Sequence, residues 1–375
     1  MKNALILSGG GAKAAYEAGV VQSLNHLELS FDIVTGTSSG AFNAALIAGN
    51  QQTQLLDLWR NITASDIYRL RIPLWLAFLI PSGLIYWIVN SKKAIYDNQP
   101  FLKLLQNTID FKKITESQIH LIIIADDLVS KKRVTFTNKT LIRNNSQKSL
   151  AIPLTEKNII DAILASVPIP GLFAPFQINQ HMLVDGGLTH NAPIGAAIDA
   201  GADRLYCILN SPVRPRISQI STIPDIVNTS LDMMITSMME SDILEARLKN
   251  LVTGKKHVDI QVIRPLKALP PDTLEFNPEK IEEAIKVGLK APILQNISFR
   301  EAQTGFILEI QGYNFESSEG KVFINESEMK IKRWTEKEIN IEIPENIPTN
   351  LNLLTIQTSE GTIDKNLEIP RGKSV

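Results

Sequence analysis

One short stretch limits what this chain can fold into. Asp32-Ile33-Val34-Thr35 runs apolar into Gly36-Thr37-Ser38-Ser39-Gly40, and Ala41-Phe42-Asn43-Ala44-Ala45 runs out as a helix of small residues. G-x-S-x-G between a strand and a helix is the setting of a sharp turn that pushes a serine hydroxyl out at a sheet edge. Gly36 and Gly40 leave room where a Cβ would clash, and the alanines let the helix pack close. The helix N-terminus then points at Ser38, where it favours developing negative charge. The plain alternative is a glycine-bounded turn capped by serine, and what surrounds the stretch decides between the two.

The chain alternates strand and helix around this turn, which predicts a mostly parallel α/β sheet. Ala4–Leu7 reads as a buried strand and is followed by Ser8-Gly9-Gly10-Gly11-Ala12-Lys13. Three glycines there permit positive φ and close approach of a ligand to bare amides, which form an anion-binding concavity. Two chemical readings compete for the loop. One is an oxyanion hole. The other is a dinucleotide loop, since Gly9 to Ala14 fits G-x-G-x-x-A, with Asp32 about 20 residues on. Against the second, Asp32 opens its strand, whereas that fingerprint wants the acid at a strand's end. A glycine-rich connection with no ligand is the third reading.

Met182-Leu183-Val184-Asp185-Gly186-Gly187 delivers a carboxylate at a strand's end and turns at once. Asp-Gly alone is usually only a turn. Beside a serine elbow the same carboxylate can act as general base, provided burial lifts it above its ordinary pKa near 3.9. A serine–histidine–acid triad needs a histidine after the acid. His190 lies too close to Asp185 to bridge it to Ser38, and His257 reads as a loop residue before a strand. A two-residue arrangement with Asp185 in contact with Ser38 is therefore expected. H-E-x-x-H metal spacing and a Walker loop are absent, so no metal or cofactor is expected.

The 18 residues from Ile72 to Val89 hold no charge and are flanked by Arg69, Arg71, Lys92 and Lys93. The run falls short of the roughly 20 residues of a spanning helix and is broken by Pro81-Ser82-Gly83. A buried hairpin, a lid and a membrane-surface anchor remain open. Ile159–Ser166 is expected as a helix capped by Asn158, and Ile223–Leu248 as a long helix with a methionine stripe. After Lys290 the texture changes to short alternating strands, which predicts a small β-sandwich over 291–375. The single cysteine, Cys207, sits in an apolar run and reads as core. The first residues are too weakly apolar for a signal peptide, so a reducing, cytoplasmic setting is expected. A formal net charge of -1 points away from nucleic acid.

Taken together, Gly9-Gly10-Gly11-Ala12-Lys13, Gly36-Thr37-Ser38-Ser39-Gly40, Asp185-Gly186-Gly187 and the proline-bracketed Ala165 to Pro175 resemble the ordered blocks of patatin-like phospholipases. The resemblance covers about residues 1–290. It implies a three-layer α/β/α fold, a Ser38–Asp185 dyad without histidine or metal, and an oxyanion hole from Gly10 and Gly11, with Gly9 as a further donor. Gly36, Gly40, Gly186, Gly187 and Lys13 would support these motifs. The implied activity is hydrolysis of lipid carboxylic esters, of phospholipase A or lysophospholipase type, at a membrane surface. A non-catalytic lipid- or protein-binding module on the same fold is the alternative. The family usually has arginine and glycine where Lys13 and Ala14 stand here. Lysine keeps the charge but not the planar fork. The tail, with Pro292, Ile297, Gly312-Tyr313-Asn314-Phe315 and Val322-Phe323, resembles IPT/TIG immunoglobulin-like modules. That implies contact with a protein partner or self-association rather than catalysis.

Overall fold

The structure is a computed structural model. It describes residues 1–72, 90, 94–141, 149–213, 220–251, 257–302, 305–344, 347–348 and 351–370. All but the first residue of the uncharged run Ile72–Val89 lies outside the described residues.

Five parallel strands form the centre, in the spatial order Asp259–Pro265, Arg204–Ile208, Asn3–Leu7, Ile33–Thr37 and His120–Asp127. They read as near-continuous apolar runs because both faces of a parallel sheet are covered. Side chains alternate between the faces as the strand period of two requires. Leu5 and Leu7 join one hydrophobic cluster, Ala4 and Ile6 the other. The first cluster is built with helices Ala15–His26, Ser39–Ala48, Ile159–Ser166 and Pro278–Leu289. The second uses Ile194–Asp199 and, from the long helix Ile223–Leu251, Met239, Ile243 and Ala246. The result is a three-layer α/β/α arrangement. Helices Ala15–His26 and Pro278–Leu289 meet backbone to backbone: a Cβ on Gly19 would lie 2.3 Å from the Ile285 carbonyl oxygen.

Beyond His120–Asp127 the sheet turns antiparallel: Ile122 to Asp127 pair with Lys132–Thr137, and Ala125 to Asp127 also pair with His181–Asp185. The second pairing sets Asp185 opposite Ala125 and carries it toward the end of Ile33–Thr37 where the serine turn begins. Helix Ile159–Ser166 forms as expected, but Asn158 does not cap it. Its Oδ1 instead accepts from the Thr155 amide at 2.7 Å, and its Nδ2 donates to the Pro153 carbonyl. The side chain is used up by the preceding turn, a local competition open to any asparagine.

The tail forms two antiparallel sheets. One runs Ile293–Glu301, Phe306–Tyr313, Glu338–Ile343, Lys330–Trp334. The other contains Lys321–Ile324, Leu351–Gln357 and Gly361–Glu368. Leu308, Ile310, Ile339, Ile341, Leu354 and Ile356 are fully buried among them. The second sheet joins that of the α/β half. Gly361–Glu368 pairs antiparallel with Asp259–Pro265, from Gln261 opposite Lys365 to Pro265 opposite Gly361, so the sheet is continuous across both halves. The pairing covers an edge strand whose Ile260, Val262 and Ile263 are fully buried, and Lys365 locks it with an ion pair to Asp259.

Candidate active site

The strand Ile33–Thr37 ends one residue before Ser38, and the helix Ser39–Ala48 begins one residue after it. Ser38 sits at φ 55°, ψ −127°. This is strained backbone for a residue with a Cβ, and such strain persists only where the surroundings over-determine it. Here they do. A Cβ on Gly36 would lie 2.2 Å from the Gly40 carbonyl oxygen, and one on Gly40 would lie 2.5 Å from that of Leu7. The turn can close only with glycine at both places. The Ser38 amide donates to Ser166 Oγ at 2.8 Å, and Ser166 donates in turn to the Ile124 carbonyl.

Ser38, Asp185, Gly9, Gly10, Gly11 and Gly187 line one small cavity. Asp185 is buried, with Oδ1 accepting the Gly187 amide at 2.8 Å. Burial pushes its carboxyl up to about 7, against the Ser38 hydroxyl and the Gly187 amide, which favour the charged form, while the neighbouring Asp126 charge pushes it further up. Gly186 supports the turn from behind the sheet, where a Cβ would lie 2.6 Å from the Ile124 carbonyl oxygen.

The three loop glycines are not equivalent. The Gly9 amide donates to the Asn191 carbonyl at 3.2 Å and the Gly10 amide to Ser39 Oγ at 3.2 Å. The Gly11 amide has no partner among the described residues. Gly11 has φ 58°, and a Cβ there would lie 1.9 Å from the Thr273 carbonyl oxygen. Gly9 is thus tied into the fold, Gly10 holds a long bond to a rotatable hydroxyl, and Gly11 is open. Lys13 stands aside, its Nζ donating to Asp232 on the long helix at 2.6 Å.

None of the five histidines pairs with Ser38 or Asp185 among the described residues. His190 bonds Asp242 at 3.2 Å, His181 bonds Asp127, His120 bonds Thr137, His26 meets Gln22, and His257 faces Glu368. Asp32 lies at the opposite end of the parallel strands from the glycine loop, binding the Asn3 amide. A ribose-binding acid would have to sit at the loop's end, so the dinucleotide reading has no geometric support. Among the described residues no cluster of histidine, cysteine and carboxylate could hold a metal, and no helix is long and apolar enough to cross a membrane.

Several residues that shape the site carry no motif in the sequence. Asn191 is wedged between the two loops: its Nδ2 donates to the Gly9 carbonyl at 3.1 Å, and its Oδ1 would clash with a Cβ on Gly9 or Gly187. Glu17 is fully buried under the glycine loop, accepting from Asn43 at 2.8 Å, Asn210 at 2.9 Å and Ser8 at 3.4 Å. Burial lifts its carboxyl to about 8 despite those donors. Sequence patterning could flag only that a glutamate stands in an otherwise apolar helix face.

The patatin-like phospholipase family model matches residues 5–198. The chain belongs to this family. It is 27% identical over 203 residues to an uncharacterised NTE family protein of Mycobacterium tuberculosis, covering 53% of this chain and 46% of that one. It is 24% identical over 208 residues to the rat patatin-like phospholipase domain-containing protein 7, covering 55% of this chain and 13% of that one. The chain thus spans less than half the length of these relatives. Among solved structures, VipD from Legionella pneumophila aligns at 14% identity with a TM-score of 0.37, covering 77% of this chain and 65% of that one.

Proposed function

We propose that this chain is a serine lipid acyl hydrolase of phospholipase A or lysophospholipase type, working through Ser38 and Asp185. The observation that carries the reading is the shared cavity: a strained serine and a buried carboxyl lifted to about 7 face the same glycine loop. A carboxyl with that pKa can accept a serine proton near neutral pH. Ser38 Oγ adds to the ester carbonyl as its proton passes to Asp185. The oxyanion faces the amides of Gly11 and, once it leaves Ser39, of Gly10. Gly9 shapes the loop rather than donating. Collapse breaks the ester C–O bond, Asp185 returns the proton to the departing alcohol, and the acyl group stays on Ser38. Water then adds to this ester with Asp185 as base and releases the fatty acid. The substrate is a phospholipid or other lipid ester met at a peripheral membrane surface in the cytoplasm. Residues 291–375 form an IPT/TIG-like contact module, with residues 1–290 as the hydrolase half.

The test is fatty-acid release from phospholipid micelles by wild type, Ser38→Ala and Asp185→Asn. Both variants are expected to lose activity, and equal release by all three ends the reading.

One observation favours a second reading, a non-catalytic lipid- or protein-binding module. The cavity over Ser38 holds about 20 Å³, room for about one water, because Leu231, Met234 and Ile235 of the long helix roof it. A lipid ester enters only if that roof moves. Labelling by a fluorophosphonate separates the two, since a binding module leaves Ser38 unreactive.

A further inference from the structure

Exposed large apolar side chains surround the cavity over Ser38 on three elements. Leu128 is 46% exposed and Val129 59%, at the turn between His120–Asp127 and Lys132–Thr137. Ala125 stands opposite Asp185, so this turn begins three residues, or about 10 Å of strand, past the level of the carboxylate. Leu70 and Ile95 are exposed beside the segment that lines the cavity at Ile169 and Pro170, the Ile95 amide donating to the Leu172 carbonyl. Ile226 is 54% exposed and Met233 70%, on the helix whose Leu231, Met234 and Ile235 roof the cavity.

Charge identifies what covers this surface. Between Ile226 and Met239 the roof helix has one charged residue, Asp232, and it is tied to Lys13 at 2.6 Å and Thr273 at 3.1 Å. The exposed residues of that stretch are apolar or serine. Further along the same helix, exposed Leu244 and Leu248 stand among Glu240, Glu245 and Lys249, as on an ordinary solvated face. At the turn the order is reversed from chance scatter: the apolar pair leads, and exposed Lys131 follows with Lys132 and Arg133 behind it. Asp127, just before the turn, is buried and engaged by Ser130 and His181, so it does not offset the lysine. An apolar tip backed by basic residues matches a bilayer, which has anionic headgroups outside and hydrocarbon within.

We infer that this edge docks on a lipid bilayer bearing anionic headgroups. Leu128 and Val129 enter the acyl boundary, Lys131 meets headgroup phosphates, and Ile226 and Met233 lay the outer face of the roof against lipid. The choice of a bilayer as occupant rests on the proposed lipid hydrolysis, because an ester that reaches Ser38 from a membrane crosses this edge.

The experiment is flotation of full-length Ser38→Ala protein with vesicles of phosphatidylcholine alone and of phosphatidylcholine mixed with phosphatidylglycerol. Binding to the mixed vesicles is expected to be about tenfold tighter. Adding Leu128→Gln with Val129→Gln, or Ile226→Gln with Met233→Gln, is expected to weaken binding to both kinds about tenfold. All four side chains are exposed, so the variants keep their fold, which thermal unfolding checks. Lys131 has φ 54°, which asparagine tolerates. Lys131→Asn is expected to weaken binding to the mixed vesicles about fivefold and to leave binding to phosphatidylcholine unchanged. No flotation, equal flotation with both vesicle kinds, or flotation untouched by either glutamine pair overturns the inference. Hydrolysis of p-nitrophenyl butyrate by the wild type, without vesicles, reads the Ser38 chemistry separately. A protein that floats as expected but cleaves no ester removes the hydrolase reading alone. One that cleaves the soluble ester but does not float removes the docking inference alone.

Discussion

Ser166 Oγ takes the amide hydrogen of Ser38 at 2.8 Å and passes its own hydrogen to the Ile124 carbonyl at 2.5 Å. One hydroxyl thus joins the strained serine turn to the strand that runs beside it, and it is fully buried. Ser166→Ala strands both the Ser38 amide and the Ile124 carbonyl in a dry interior. Stability is expected to fall by about 1–3 kcal/mol. If the hydroxyl also holds the turn in its catalytic shape, kcat falls by roughly ten- to a hundredfold. Thermal unfolding and steady-state kinetics on a soluble ester measure the two. A variant that matches wild type in both would show that the glycines alone hold the turn.

On the proposed mechanism the Asp185 carboxyl sets the pH dependence. A base works when deprotonated, so kcat/KM is expected to rise about tenfold per pH unit up to about 7 and to level off above it. Asp126 carries a like charge beside Asp185 and helps hold that midpoint up. Asp126→Asn removes the repulsion, so the midpoint moves to lower pH. Profiles of p-nitrophenyl butyrate hydrolysis from pH 5 to 9 read both. An unmoved midpoint in Asp126→Asn would mean that burial alone sets it.

The parts of this site that were legible in the sequence are those made by neighbours in the chain. Gly36, Ser38 and Gly40 announce a strand–turn–helix because steric demands within five residues dictate it. Asp185 was legible for the same reason, as the last residue of an apolar run before two glycines. Ser166, Asn191 and Glu17 were not. Each works through partners far along the chain, 128 residues away for Ser166 and Ser38 and 182 for Asn191 and Gly9. No local period records such a contact. The same limit applies to the tail. Its alternating strands were legible, but the ladder that pairs Gly361–Glu368 with Asp259–Pro265 is made by backbone groups, which every sequence has, and the Lys365–Asp259 ion pair beside it joins residues 106 apart. Asn158 shows the opposite failure: its local signal was right for a cap, and the preceding turn captured the side chain first.

Glu17 makes stability fall with rising pH. Its folded pKa, about 8, lies above the unfolded value near 4.5, so the folded state holds a proton that the unfolded state has lost between those values. Stability from this group is complete below about pH 4.5. It declines by about 1.4 kcal/mol per pH unit through the window and is gone above about 8. Asp185, also raised, adds a slope of the same sign between its ordinary value and about 7. Glu17→Gln removes one of these protons. Its urea midpoint is expected to change less between pH 5 and pH 8 than that of wild type. An unchanged pH slope in the variant would mean that Glu17 stays ionised in the fold.

Removal of residues 291–375 tests how far the two halves depend on each other. The truncated chain keeps Ser38, Asp185 and the glycine loop, but it uncovers the outer backbone edge of Asp259–Pro265 from Gln261 to Pro265. Ile260, Val262 and Ile263 are fully buried in that strand, so the new edge is flanked by apolar side chains. An open, apolar edge pairs with copies of itself. Asp259 also loses Lys365 and, among the described residues, keeps the ion pair with Arg204 at 3.0 Å. The 1–290 fragment is therefore expected to elute from size exclusion as oligomers or aggregates, where the full chain gives a single smaller species. Replacing Val262 by lysine in the fragment does not rescue it, because that side chain points into the sheet's covered face, where an unpaired charge is more costly than the edge it would protect. A monomeric, folded 1–290 fragment would show that the strand pairing between the halves is dispensable, and that the tail is joined to the α/β half without supporting it.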